Sequence, residues 1–193
     1  MKATISQKLK NICEIQLGYQ FRTRFEHDLA GNYFVIQMKD IKDYSLSTAE
    51  LLKVKLPKVK NDYLITQNTI LFTPRGYNNN AIFIDEALND TIASSQFYII
   101  KVSDKNVLPE YLTWYINQSP AQKYFTSNRA GTTIPIINIA QLKELEVKIP
   151  DIETQENIVK TYNLACKEKE IYQQIMDKRH TLISEALLTK INA

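Results

Sequence analysis

The stretch Thr73-Pro74-Arg75-Gly76-Tyr77-Asn78-Asn79-Asn80 gathers side chains suited to reading the edges of nucleic-acid bases. Arginine can bond guanine through two parallel hydrogen bonds, and asparagine can do the same to adenine. Tyrosine can stack on a base or touch a phosphate. Gly76 supplies a hinge, and strand-like residues flank the segment on both sides, as a loop that enters a groove requires. Asparagine-rich loops are also ordinary solvated turns, because Asn tolerates left-handed backbone. A second cluster, Ser127-Asn128-Arg129-Ala130-Gly131-Thr132-Thr133, sets Arg129, Thr132 and Thr133 at the end of a helical stretch, where such donors suit a phosphate. Gly131 there also reads as the residue that closes the helix, at C′. Ser94, Ser95 and Gln96 form a third polar insert, leading into a strand. Gln20, Arg22, Arg24 and Lys39 are further amide and cationic candidates, each also readable as plain surface.

Residues for catalysis are sparse. His27 and His180 stand alone, and no Cys/His/Asp cluster has metal-ligand spacing. Four glycines scattered from Gly18 to Gly131 cannot make a phosphate- or cofactor-cradling loop. The Asn/Asp-Pro-Pro-Tyr tetrapeptide of adenine methyltransferases is missing. Glu146-Val147-Lys148 has the Glu-x-Lys form of some nuclease sites, with Glu110 upstream. The same residues read as strand alternation, with acid and base facing water and Leu145, Val147 and Ile149 facing inward. Cys13 and Cys166 lie far apart without CxxC spacing, which implies no disulfide framework and suits a reducing compartment. The start, Met1–Lys8, has no apolar signal-peptide core, and no apolar run approaches the ~20 residues of a membrane helix. A cytoplasmic location is therefore expected.

The elements that must position the polar loops follow from composition. All four glycines and all six prolines lie at or before Pro150, and residues 151–193 contain neither. Both residues punctuate turns and break helices. The chain therefore divides into a turn-rich domain, 1–150, and an uninterrupted helix, 151–193. Net charge is +3 over 193 residues. Residues 151–193 carry six Lys/Arg and seven Asp/Glu, which leaves 18 against 14 in 1–150. That modest excess permits phosphate contact without requiring it.

Strands are expected at Tyr33–Met38, Thr69–Thr73, Ala81–Ile84, Phe97–Val102 and Leu145–Ile149. Helices are expected at Glu110–Asn117 and Ala121–Asn128, each started by a proline, with a short one at Thr48–Lys53. The fold class is thus α+β, followed by one long C-terminal α-helix. From about Glu153 to Ile191 that helix would run roughly 57 Å. Its apolar residues, including Ile158, Tyr162, Ala165, Ile171, Ile175, Leu182, Ile183 and Leu187, return every three or four positions. A stripe of that length calls for a partner helix, most simply an antiparallel copy in a coiled coil. Folding back on its own domain is the alternative.

Six segments in order resemble the DNA-specificity (S) subunits of type I restriction-modification systems. They are Leu9 and Ile12 before Gly18-Tyr19-Gln20-Phe21; Val35 to Ile41; Tyr63-Leu64-Ile65 with Asn68 to Gly76; Ala93 to Phe97; Leu108 to Leu112; and Gly131-Thr132-Thr133-Ile134-Pro135. A strand then stops at Pro150, and a helix with Gln155 and Ile158 follows. The resemblance covers nearly the whole chain. It implies a half-length form with one target recognition domain and one spacer helix, either a natural half-subunit or one half of a longer subunit. Two copies joined by antiparallel helices would rebuild the full arrangement, with the helix as a ruler between two half-sites on double-stranded DNA. It also implies methyltransferase (M) subunits that bind S-adenosylmethionine and restriction (R) subunits as partners, no cofactor or metal in this chain, and Ser94–Gln96 close to the DNA. Other readings stay open: an orphan DNA-binding dimer, a regulator or decoy acting on methyltransferase subunits, a nuclease using Glu146 and Lys148, or a coiled-coil scaffold whose head binds protein.

Overall fold

The computed structural model describes residues 4–22, 26–42, 44–129 and 134–191. Arg24, Thr132, Thr133 and the proposed cap Gly131 lie outside them. The elements in chain order are β1 (Ile5–Lys8), β2 (Cys13–Leu17), β3 (Tyr33–Ile36), β4 (Ile41–Lys42), β5 (Ser45–Leu46), β6 (Leu52–Val54), β7 (Thr69–Phe72), β8 (Ala81–Ile84), β9 (Thr91–Ala93) and β10 (Tyr98–Val102). Helices α1 (Pro109–Ile116), α2 (Ser119–Asn128) and α3 (Ile139–Lys143) follow, then β11 (Glu146–Ile149) and α4 (Ile152–Ile191). The chain divides into two compact units, Met1–Gln155 and Glu156–Ala193.

The first unit is built on an antiparallel sheet of order β2-β10-β7-β8. All four residues of β7 are buried, and it takes an interior place. A strand buried on both faces reads as a continuous apolar run rather than an alternating one. A second sheet, β6-β3-β9, pairs β3 antiparallel with β6 and parallel with β9. Because successive strand residues point to opposite faces, β3 serves two clusters. Ile36 joins Leu71, Ile82, Phe97 and Ile99, while Tyr33 and Val35 join Val54, Val59 and Ile92. β1 pairs with β11, whose exposed Glu146 and Lys148 alternate with buried Val147 and Ile149.

Thr48–Lys53 is not helical. Leu52–Val54 instead extends as β6 along β3, because Leu52 and Val54 bury apolar surface there that a short isolated helix would leave in water. α3 was not among the expected helices. Its signal is a capping box: Asn138 accepts from the Gln141 amide, and the Gln141 side chain accepts from the Asn138 amide, both at 2.8 Å. α2 ends at Asn128, with Arg129 at its C-cap in extended backbone (φ −62°, ψ 136°).

Asp151 caps α4 through its carboxylate to the Thr154 amide and hydroxyl. Gln155, in the first turn of α4, is fully buried. It accepts from the Leu108 amide at 2.9 Å and donates to the carbonyls of Asn106 and Pro150 at 2.8 Å. In 156–191 the apolar stripe is largely solvent-facing: Ile158 is half-buried, and from Tyr162 to Leu187 the exposure of its large side chains runs from 39% at Tyr162 to 65% at Leu182.

Candidate functional site

Strand register decides where the polar segments meet. Leu17 at the end of β2 pairs with Tyr98 at the start of β10, Tyr98 with Phe72 at the end of β7, and Phe72 with Ala81 at the start of β8. Gly18–Arg22, Ser94–Gln96, Thr73–Arg75 and Asn79–Asn80 therefore all emerge at one end of this sheet.

The β7–β8 loop is closed at its base. The Asn80 amide donates to the Thr73 hydroxyl at 2.8 Å, and the Thr73 amide donates to the Asn80 carbonyl at 2.9 Å. Gly76 has φ +94°, a left-handed value that L side chains avoid, so the turn needs glycine there. Arg75, Tyr77 and Asn78 are exposed, Tyr77 by 72%. Asn80 is half-buried. Asn79 is completely buried, and its amide donates to the Thr73 carbonyl at 3.0 Å. That geometry leaves Asn79 no face for a base edge.

The second cluster comes to the same loop. The Gly76 amide donates to the Pro135 carbonyl and the Ile137 amide to the Pro74 carbonyl, both at 2.9 Å, so 74–76 and 135–137 run as a short antiparallel pair. From the end of α2, Arg129 donates through Nε to Asn79 Oδ1 at 3.2 Å and through Nη2 to the Tyr77 carbonyl. Its guanidinium lies 5.9 Å from the Tyr77 ring centroid. Two residues without prior signal support the loop: Gln122 donates to the Asn79 carbonyl at 2.8 Å, and Asn117 bonds both backbone groups of Ala81 at 2.8 Å. The packing of α1 against β8, and of α2 against α1, gives them that role. Tyr98 donates to the Ile137 carbonyl at 3.0 Å; burial raises its pKa, opposed by the nearby Arg75 charge.

The third insert joins the β3 exit. Gln96 Oε1 lies 3.3 Å from both the Met38 amide and the Ser94 hydroxyl, which brings the exposed Lys39 beside it. Ser94 is buried, Ser95 half-buried and Gln96 exposed. Arg22 and Gln20 are exposed on the segment leaving β2. That segment packs so tightly that a Cβ at Gly18 would lie 2.2 Å from the Ser94 carbonyl oxygen. The buried Gln37 Nε2 meets no hydrogen-bond partner among the described residues.

Glu146 and Lys148 lie elsewhere, in an open cleft of about 410 Å³ with Glu144 and Tyr124. Lys10 and Lys8, each 2.7 Å from Glu144, hold its carboxyl down at about 2. Among the described residues no group of three or more His, Cys, Asp or Glu is arranged to hold a metal ion. Burial pushes the Cys13 thiol up to about 12, which keeps it protonated and unreactive.

Residues 5–176 match the family model described as the type I restriction modification DNA specificity domain. The chain is 28% identical over 140 residues to the type I restriction enzyme HindI specificity subunit of Haemophilus influenzae, across 70% of this chain and 30% of that protein. In fold it is similar to the HsdS subunit of Thermoanaerobacter tengcongensis (TM-score 0.63, 18% identity, 87% of this chain and 43% of that one). It is likewise similar to the type I restriction-modification S subunit of M. genitalium (TM-score 0.59, 15% identity, 88% of this chain and 40% of that one). The chain thus spans less than half the length of these relatives. No catalytic family is indicated by these matches. With residues 5–176 matched by that family's model and the overall fold similar to these subunits, the chain belongs to the type I restriction-modification DNA specificity family.

Proposed function

We propose that this chain supplies sequence-specific DNA recognition to a type I restriction-modification complex, reading one half of a bipartite target and performing no chemistry of its own. The observation that carries this reading is the convergence of cationic and amide groups at one end of the β2-β10-β7-β8 sheet, on three segments distant in sequence, with Lys39 on a fourth at the β3 exit. Arg75, Tyr77, Asn78 and Asn80 would face base edges. Arg22, Lys39 and the exposed Gln96 would contact the backbone, where charge fixes position and carries salt dependence.

The second half-site requires a second unit, in the simplest arrangement another copy of this chain. The stripe Ile158, Tyr162, Ala165, Ile171, Ile175, Leu182, Ile183, Leu187 would pair with its antiparallel equivalent about a two-fold axis. Methyl transfer would then belong to a partner methyltransferase that binds S-adenosylmethionine, and cleavage to a restriction subunit.

Methylome sequencing of a host carrying this chain with its methyltransferase tests the reading. The expected outcome is adenine methylation at one interrupted motif, lost when the chain is deleted. Methylation that persists without the chain, or that follows no motif, defeats it.

A further inference from the structure

Arg129 stands at the candidate interface, and a cation there invites assignment to a phosphate. Its bonding argues otherwise. The guanidinium is bonded within the protein: Nε to the side chain of Asn79, Nη2 to the backbone carbonyl of Tyr77, with Cζ over the Tyr77 ring at 5.9 Å from its centroid. Asn79 in turn is fully buried and tied to Thr73, while Gln122 on α2 holds the Asn79 carbonyl. The helix thus grips the loop at side chain and backbone together, beside Gly76 with its left-handed φ.

We propose that Arg129 is the positioning residue of this loop: it reads no base and neutralises no phosphate, but clamps Tyr77 and Asn79 so that Arg75, Tyr77 and Asn78 meet DNA already in their binding geometry. The proposal rests on the DNA-reading function above and deepens it. A preformed loop loses less conformational freedom on binding, and the gain falls on the correct sequence, where every contact is made. A fork of donors bonding two separate acceptors is a task for arginine; the point charge of lysine cannot reproduce it.

Two variants, Arg129→Lys and Arg129→Ala, separate the roles. Amide exchange across residues 73–80 is measured on the chain, with thermal melting as the check on folding. Binding to cognate and scrambled duplexes is measured on the complex with its methyltransferase, across a salt series. The clamp predicts faster exchange of 76–79 in both variants. It predicts about a tenfold loss of the cognate-to-scrambled ratio in both, lysine giving no rescue, with the salt slope unchanged. A phosphate contact predicts that lysine restores binding and that alanine lowers the slope by about one unit, and that result overturns the proposal. Unchanged exchange in Arg129→Ala also overturns it, whatever the DNA data show. If exchange rises but the unsubstituted complex shows no sequence preference, the DNA-reading function itself fails, and the claim on selectivity with it.

Discussion

At the residue scale, neighbouring asparagines of one loop do different work. Asn78 is exposed, Asn79 is internal scaffolding, and Asn80 closes the hairpin through its backbone. Arg75 is the exposed side chain best able to discriminate a base. Arg75→Ala is expected to cost about 1–3 kcal/mol on the cognate duplex and to relax preference at one base pair. Lys39→Ala is expected to weaken all duplexes alike and to lower the salt slope by about one unit. Both are read by titration on cognate and scrambled duplexes; equal losses in Arg75→Ala would make Arg75 a backbone contact instead. Glu144 sets an acid limit away from this site. Its carboxyl is held at about 2, below its ordinary 4.5, by Lys10 and Lys8. Its stabilising effect is therefore fully present above pH 4.5 and drains away as pH falls toward 2. The melting-temperature difference between the unsubstituted chain and Glu144→Gln should be constant above pH 5 and shrink across that window. A difference that grows on acidification contradicts the sign.

At the element scale, the buried side-chain amide of Gln155 ties the first turn of α4 to Asn106, Leu108 and Pro150. Gln155→Leu removes three hydrogen bonds from a fully buried site and leaves the Leu108 amide and the Asn106 and Pro150 carbonyls without this partner. The expected loss is about 2–3 kcal/mol in urea unfolding of the globular transition. A change below half a kcal/mol would mean that water replaces the amide. Further along α4 the test is association. Changing Ile171 and Ile175 together to Asp puts charges into the proposed helix seam and should turn a dimer into a monomer in light scattering. A monomer at tens of micromolar before any substitution sinks the homodimer.

At the scale of the whole molecule, the candidate interface and the Glu146–Lys148 pair lie apart. The cationic and amide groups gather at one end of a sheet, whereas Glu146 and Lys148 sit in a different cleft with a carboxylate already tied to two lysines. Purified chain with Mg²⁺ or Mn²⁺ is expected to leave DNA uncut in a gel assay. Robust cleavage that disappears in Glu146→Ala would establish the nuclease reading instead. No helix among the described residues is long and apolar enough to cross a membrane.

Composition alone separates a turn-rich region from a helix free of glycine and proline, and α4 runs from Ile152 to Ile191 as its periodicity requires. β-branched runs mark β3, β7, β8 and β10 to within two residues, because local propensity and burial agree there. The order of short motifs carries the family. Tertiary structure alone decides the rest. Thr48–Lys53 carries helix formers (Ala, Glu, Leu, Lys), yet Leu52 and Lys53 yield to pairing with β3. Asn78 and Asn79 are identical in sequence terms, yet only the second meets Arg129 and Gln122, partners 50 and 43 residues away. Whether a polar side chain faces solvent or serves as internal bonding depends on which distant donors reach it, and no local pattern encodes that.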